Sequence, residues 1–353
     1  MTWHTNHVGQ AGPVRIPILR AVSLADFWSR ALDRLRTLAE MEEETTHAMT
    51  QTADPPVMTK EIHIKAAPAT VLAFLTDADK LVRWMGHEAT IDARPGGQIE
   101  INYNGFDIMR GEYIEIAPNR VVMSWGWEDN PLLGPGKSTV TFELNPDGIG
   151  TLLRLIHTGL PVEMQPSFSE GWDQFTGRLA AVAEGRDPGP NAWAPRQAEL
   201  AAGRLRRLMR EARASVAAAP EAALQRTSQS EGWTVPALAM HIVGHLGLVA
   251  FVEECVSGKS EFLANATLEA VDQQNLETTA ANANASKNEV LAAYDARVDD
   301  AVERLRAITD EDFGKGMSVK FTPSGYITAA EIAGGPLLAN VSDHVASLKA
   351  TLA

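Results

Sequence analysis

"QIEINYNGFDIMRGEYIEIAPNRVVMSWGWED", residues 98–129, decides half of the fold. Its apolar residues alternate. Ile99, Ile101 and Tyr103 share one parity within their run, and so do Val121, Met123, Trp125 and Trp127 within theirs. A period of two means extended strands with one face turned to a core. The runs are broken by "NG" at 104–105 and "PNR" at 118–120, residues that favour tight turns.

The same pattern extends outward. Upstream, "KEIHIKA" (60–66) alternates, and "APATVLAFLTDADKLVRWM" (67–85) reads as two short helices. "EATIDA" then ends at "RPGG" (94–97). Downstream, "STVTFELN" turns at "PDG" (146–148) and "GTLLRLIHTG" closes the strand series. A helix over roughly 163–184 follows, carrying "EGWDQFTGRLAAVAEG". Residues 58–184 therefore predict one strand, two helices, about six antiparallel strands and a long C-terminal helix. A sheet of that size curls, and the long helix can cover its concave face and enclose an apolar cavity.

Three other segments flank this one. Residues 1–57 form an extension with one amphipathic helix over 24–44, where Phe27, Leu32, Leu35 and Leu38 recur at helical spacing, and then a polar linker. Residues 185–195, "GRDPGPNAWAP", are rich in proline and glycine and read as a linker with little to bury. Over 196–353, helical segments are expected near 196–218, 234–257, 286–309 and 328–352, which fit an antiparallel four-helix bundle. The fold class expected is α+β, with an all-α bundle after the sheet domain.

Bulk properties bound the function. The chain has 353 residues and a formal net charge of −14, with 45% hydrophobic and 22% charged residues. Such an acidic chain repels phosphate backbones, so no nucleic-acid partner is expected. No uninterrupted apolar run reaches membrane-spanning length, and no membrane partner is expected. One cysteine, Cys255, allows no internal disulfide and suits a reducing cytoplasm. There is no nucleophile elbow, no glycine-rich phosphate loop and no cysteine cluster of zinc type.

The stretch "AAPATVLAFLTDADKLVRW" with Trp84, "DARPGG" at 92–97, "APNRVVMSW" and the "GW" of 171–172 resemble the SRPBCC or START-like helix-grip superfamily, within it the group named after the activator of the heat-shock-protein ATPase. The resemblance covers about 125 residues and implies a helix-grip domain. It includes ligand carriers, cyclases, stress proteins and chaperone cofactors. Trp125 and Trp127, with Tyr103, Phe106, Phe142 and Trp84, are the candidate lining of a ligand cavity. Arg110, Arg154 and His157 lie in expected strands, and one facing inward would anchor a polar group of the ligand.

A second stretch is "GWTVPALAMHIVGHLGLV" (232–249), an apolar helix with His241 and His245 one turn apart. With "LLANVSDHVASLKATL" and the segment around Asp272 and Asn275, it resembles the DinB-like and mycothiol-dependent maleylpyruvate isomerase-like bundles. That resemblance implies a divalent metal, zinc, nickel or manganese, held by one histidine of the second helix and a pair on the fourth. His241 and His344 match two of these positions. Asn340 stands at the third, where its neutral amide oxygen is a poor donor for zinc or nickel. His245 can compensate, because residues four apart share a helix face.

Three functions follow as expectations. The first is a binding protein for a small hydrophobic molecule, in stress response or regulation. The second is a metal-dependent thiol S-transferase or isomerase that uses the bundle histidines and a low-molecular-weight thiol. The third is an interaction protein for a chaperone or transcription partner. A homodimer is compatible with each.

Overall fold

The computed structural model describes residues 57–353. The amphipathic segment 24–44 and the rest of the extension before Val57 lie outside the described residues.

Seven antiparallel strands form one sheet. They are β1 (Val57–Ile64), β2 (Glu88–Ile91), β3 (Gln98–Asn102), β4 (Ile108–Ala117), β5 (Arg120–Trp125), β6 (Ser138–Asp147) and β7 (Gly150–Thr158). Their order across the sheet is β1-β7-β6-β5-β4-β3-β2. Consecutive strands β2 to β7 are neighbours, as tight turns require. The first strand sits beside the last, so the chain must cross the whole sheet between β1 and β2. Helices α1 (Pro68–Thr76) and α2 (Ala78–Leu81) make that crossing. Pro68 opens α1, where its missing N–H costs nothing, and the Asp77 side chain caps α2 by accepting from the Lys80 N–H at 3.1 Å.

Curvature comes from local defects. The β4–β5 register shifts between Tyr113 and Glu115, a bulge that bends the strand. At Gly111 the neighbouring strand runs so close that a Cβ would lie 1.9 Å from the Ser124 carbonyl oxygen, so no other residue fits there. Helix α3 (Gln165–Ala183) closes the domain. It buries Phe168, Trp172, Phe175, Leu179 and Val182, spaced by four and three along one helix face. These side chains and the inner face of the sheet form a single hydrophobic cluster.

The second body is helical, with its own hydrophobic cluster. Its elements are α4 (Gln197–Ala218), α5 (Val235–Gly244), α6 (Leu248–Ser257), α7 (Glu261–Asn265), α8 (Leu268–Ala281), α9 (Lys287–Ala307), α10 (Asp310–Phe313), α11 (Ala329–Ile332) and α12 (Asn340–Leu352). A two-stranded ribbon, β8 (Gly316–Ser318) with β9 (Tyr326–Thr328), precedes α11. The four long segments expected from periodicity are present, but two are interrupted. A 3₁₀ turn at His245–Gly247 divides α5 from α6. A π-helical stretch at Ala333–Ala339, containing Pro336, separates α11 from α12. Helices α7 and α8 were expected only as connection, because their exposed, mixed composition shows little periodicity.

Val235–Ser257 is one helical run of 23 residues with mean hydropathy 1.9, long and apolar enough to cross a membrane by composition. The neighbouring helices of the bundle bury most of it, as expected of a core helix. The linker 185–195 has no buried residue, but two contacts tie it to the sheet domain. Trp193 packs on Phe175 with ring centroids 5.3 Å apart, and the Arg178 guanidinium donates to the Gly189 carbonyl at 3.0 Å.

The two bodies touch through the β3–β4 turn. Gly105 meets Gly203 of α4 so closely that a Cβ on Gly203 would lie 2.4 Å from the Gly105 Cα. Phe106 sits between the guanidinium groups of Arg206 and Arg306, at 4.5 and 4.3 Å from its ring centre. Arg210 pairs with Asp129 nearby.

Candidate functional site

The sheet domain places most of the candidate aromatics together. Trp84, Tyr103, Trp125, Trp127 and Phe142 are all buried in its core. Trp125 packs on Trp172 at 5.2 Å, Tyr103 on Trp127 at 5.2 Å, and Phe142 edge-on to Trp172 at 5.9 Å. Trp84 spends its indole N–H on the Phe74 carbonyl, 3.0 Å away. The Trp125 Nε1 is buried and has no hydrogen-bond partner among the described residues.

Three candidates lie elsewhere. Phe106 belongs to the contact between the two bodies, because it follows the turn at 104–105 and leaves the sheet. Arg110 and Arg154 stand on the outer face of the sheet. Arg110 pairs with Glu100 and with Glu128 at 3.0 Å, and Arg154 lies 3.5 Å from Glu61 and 3.6 Å from Glu143. Each arginine occupies the strand parity opposite to the buried one, so neither anchors anything inside.

His157 has the inward parity, and its surroundings fix its chemistry. The Trp172 indole N–H donates to its Nδ1 at 3.1 Å, so Nδ1 is an acceptor. Nε2 then carries the proton and donates to the Ser138 hydroxyl at 2.9 Å, which in turn donates to the Trp125 carbonyl at 3.1 Å. Burial pushes its pKa down to about 3. A histidine that donates to the serine cannot take the serine's proton, so this pair is no nucleophile and base.

The bundle gathers its histidines differently. His241 comes from α5, His245 from the 3₁₀ turn and His344 from α12. Ring centroids are 4.6 Å apart for His241 and His245, 4.9 Å for His241 and His344, and 5.5 Å for His245 and His344. One potential ligand atom from each lies within 4.8 Å of the other two. Thr234 starts α5 as its cap, and the bundle's core packing carries the helix to this point.

Two of the three rings are oriented by hydrogen bonds. His245 Nδ1 donates to the His241 carbonyl at 3.0 Å. His344 Nδ1 lies 3.1 Å from Glu231 Oε1 and donates to it. Both are thereby fixed as tautomers with a free Nε2 lone pair, the usual way a protein prepares histidine for a metal. Glu231 is itself held by the hydroxyls of Ser228 at 2.6 Å and Ser347 at 2.7 Å. Burial raises the pKa of the Glu231 carboxyl, but hydrogen bonds from Ser228, Ser347 and His344 more than reverse this and hold it below the ordinary value. Burial, then the neighbouring His245 and His344, lowers His241 to about 4, so it is neutral at pH 7. Burial also lowers His245. Trp233 packs edge-on to His241 at 4.8 Å and backs the cluster.

Three imidazoles on one focus, one backed by a carboxylate, fit a divalent metal that prefers nitrogen donors. Asn340, one helical turn before His344, lines a cavity of about 420 Å³ that opens beside His241 and His245. Sequence reasoning missed Glu231, Ser228 and Ser347. Glu231 stands two residues before Trp233 in the stretch already singled out, but only the folded loop brings it under α12.

Residues 65–184 match the family described as Activator of Hsp90 ATPase homolog 1-like protein. An AHSA1-like protein from Rhizobium etli, known from a solution NMR structure, is 40% identical over a match covering 40% of this chain and 91% of that one, with a TM-score of 0.34. The chain belongs to the Activator of Hsp90 ATPase homolog 1-like family. A crystal structure of a protein from Chromobacterium violaceum is similar at 25% identity, covering 36% of this chain and 96% of that one, with a TM-score of 0.32. The Aha1 dimer from Colwellia psychrerythraea is similar at 20% identity, covering 36% and 96%, with a TM-score of 0.33. Residues 205–324 match the family described as Mycothiol maleylpyruvate isomerase N-terminal domain. No curated protein matches the chain.

The chain is thus a helix-grip domain joined to a DinB-like helical domain. The match to the second family includes His241 and His245, while His344 lies beyond its last matched residue.

Proposed function

We propose that the helical domain is a metal-dependent site for thiol chemistry, an S-transferase or isomerase, and that His241, His245 and His344 hold the metal. The observation that carries this reading is the convergence of the three imidazoles within 4.8 Å, with Glu231 fixing the His344 tautomer. The name of the matched family points to a low-molecular-weight thiol as co-substrate. When bound, the ion supplies the charge that favours the thiolate form of such a thiol.

The protein's own residues do the rest. Glu231 accepts a hydrogen bond from the His344 Nδ1–H, and the His241 carbonyl accepts one from the His245 Nδ1–H, so both Nε2 lone pairs remain available. Trp233 covers the cluster on one side. His245 stands in for the donor that Asn340 does not supply. The cavity beside His241 and His245 is the place where the second substrate binds.

The test is metal content and zinc titration of protein purified without a histidine tag. One ion per chain is expected, lost in His344→Ala. A chain that takes up no zinc, nickel or manganese at pH 8, or binds it equally well without His344, would end this reading.

A second reading concerns the grip domain. We propose that it accepts a small hydrophobic molecule near Trp125, whose buried Nε1 offers a donor to a ligand oxygen. Trp125→Phe keeps an aromatic ring and removes that donor. It should weaken binding of an apolar carbonyl dye more than it lowers the melting temperature, and equal binding would remove the role.

A further inference from the structure

The linker between the domains carries an indole where proline and glycine alone would serve as a spacer. Trp193 lies on helix α3, with its ring centre 5.3 Å from that of Phe175. Its edge is 3.9 Å from where a Cβ on Gly171 would stand, which is ordinary contact. Earlier in the linker, the Arg178 guanidinium donates to the Gly189 carbonyl at 3.0 Å. Gly171, Phe175 and Arg178 fall at i, i+4 and i+7, one face of α3. Residues 189–193 therefore run back along that face as a strap. A turn presents the indole: the Trp193 N–H donates to the Asn191 side chain at 3.1 Å, and the Ala194 N–H donates to the Asn191 carbonyl at 3.0 Å.

Under the strap begins a path of rings into the grip domain. Phe175 lies 5.7 Å from Tyr103, Tyr103 lies 5.2 Å from Trp127, and Trp127 lies 6.2 Å from Trp125. Trp125 is the residue whose buried Nε1 has no hydrogen-bond partner. Of the three α3 rings in this core, Phe175 is the least buried, 8% exposed against 4% for Phe168 and 2% for Trp172. The strap thus covers the thinnest part of the wall.

It is also built to lift. The linker has no buried residue, so release gives up little more than one half-buried indole. Gly185 and Gly189 have φ of 73° and 71°, and a Cβ on either would meet nothing within 4 Å. Both have the backbone freedom and the room to swing.

We propose that residues 189–193 are a strap over the entrance to the grip domain, and that Trp193 must leave Phe175 before a small hydrophobic molecule can reach Trp125. This strap controls entry to the site proposed near Trp125, and it has that role only if the site exists. Three rings separate Trp193 from Trp125, so the indole does not touch the bound molecule. It slows entry and exit alike and leaves the affinity unchanged.

Stopped-flow mixing of the full chain with prodan, a flat naphthyl ketone whose own emission reports binding, tests this. Trp193→Ala removes an aromatic contact that opening must otherwise break, so association and dissociation rates should both rise about tenfold. The dissociation constant should stay within about twofold, because a gate acts on both rates equally. Trp193→Phe should fall between parent and Ala variant. Arg178→Met frees Gly189 but keeps the indole, and should raise both rates by less. Trp125→Phe, which alters the site itself, should act mainly on dissociation. Unchanged rates in Trp193→Ala would show that the linker is not on the route, and would end the proposal while sparing the ligand site. Faster dissociation alone would make Trp193 a ligand contact and also overturn the strap. Faster rates in both directions in Trp193→Ala, with prodan affinity unmoved by Trp125→Phe, would keep the strap and remove the role of Trp125. Prodan binding to neither parent nor Trp193→Ala would end the ligand site and the strap with it.

Discussion

The two domains both bury histidine, and they use it in opposite ways. His157 in the grip domain has both ring nitrogens engaged, one accepting from Trp172 and one donating to Ser138. Its other neighbours are the rings of Trp125 and Phe168. Every bond is satisfied inside the core, and nothing remains for a ligand. In the bundle, His245 and His344 each spend only Nδ1, and three rings face one another. Burial lowers the pKa in both places, so a shifted pKa does not separate a structural histidine from a functional one. The unspent lone pair and the shared focus do.

The largest effects that follow from this contrast lie at the focus. His344→Ala or His241→Ala removes one of three nitrogen donors, and zinc affinity should fall at least about 10³-fold, far beyond a change in the surrounding shell. His157→Ala should leave zinc affinity unchanged. If His157→Ala also abolished zinc binding while the protein stayed folded, the division of roles between the domains would be wrong.

The next effect is on stability and belongs to His157. Its pKa in the folded chain is lowered from 6.5 to about 3. Between these values the unfolded chain binds a proton that native His157 refuses. The stabilisation is therefore complete above pH 6.5 and is lost as pH falls toward 3, by several kcal/mol in total, at about 1.4 kcal/mol for each unit of the shift. His157→Phe keeps the ring and removes the titration. At pH 7.5 it should cost about 3 kcal/mol, because the Trp172 N–H and the Ser138 hydroxyl lose their partner. At pH 4 the cost should shrink, since the parent has lost part of its own stability there. Urea melts at the two pH values measure this, and a constant difference would show that His157 does not titrate as its burial requires.

How much of this was legible in the sequence depended on the range of the interaction. Strands β2 to β7 were readable because alternation and turn residues are local, and each strand pairs with the next one along. The placement of β1 beside β7 was not a local property. His241 and His245 were readable as a pair on one helix, and His344 through family resemblance. Glu231 was not, because its role exists only where a loop passes under α12. Strand parity was ambiguous in "GTLLRLIHTG", where leucine or isoleucine occupies both faces. His157 and Arg154 are therefore equal candidates from sequence, although they point to opposite sides.

A smaller effect is expected at Glu231. Glu231→Gln keeps the shape of the side chain but removes the charge that holds the His344 Nδ1 proton. Carboxylates behind metal-bound histidine typically contribute 10–100-fold in affinity, and a loss of about that size is expected in zinc titrations. The same substitution should barely change the melting temperature of metal-free protein. A large drop there, with unchanged zinc affinity, would make Glu231 a structural tie between its loop and α12 rather than a positioning residue.

The smallest effect is expected at Arg154, and it is the sharpest check on the outer face of the sheet. Arg154 lies opposite Glu61 on β1 and Glu143 on β6, so the three form a row across adjacent strands. The arginine side chain is 44% exposed, and its contacts of 3.5 and 3.6 Å are long for hydrogen-bonded pairs. Exposed pairs of this kind contribute about 0–1 kcal/mol, and salt screens them. Arg154→Ala should therefore cost less than about 1 kcal/mol in low salt and close to nothing in 0.5 M NaCl. Binding of an apolar dye to the grip domain should be unchanged, although Trp125→Phe weakens it. If Arg154→Ala instead abolished binding of a dye carboxylate, a ligand would have to reach this face. The outer surface of the sheet, and not its buried aromatic side, would then be the binding surface of the grip domain.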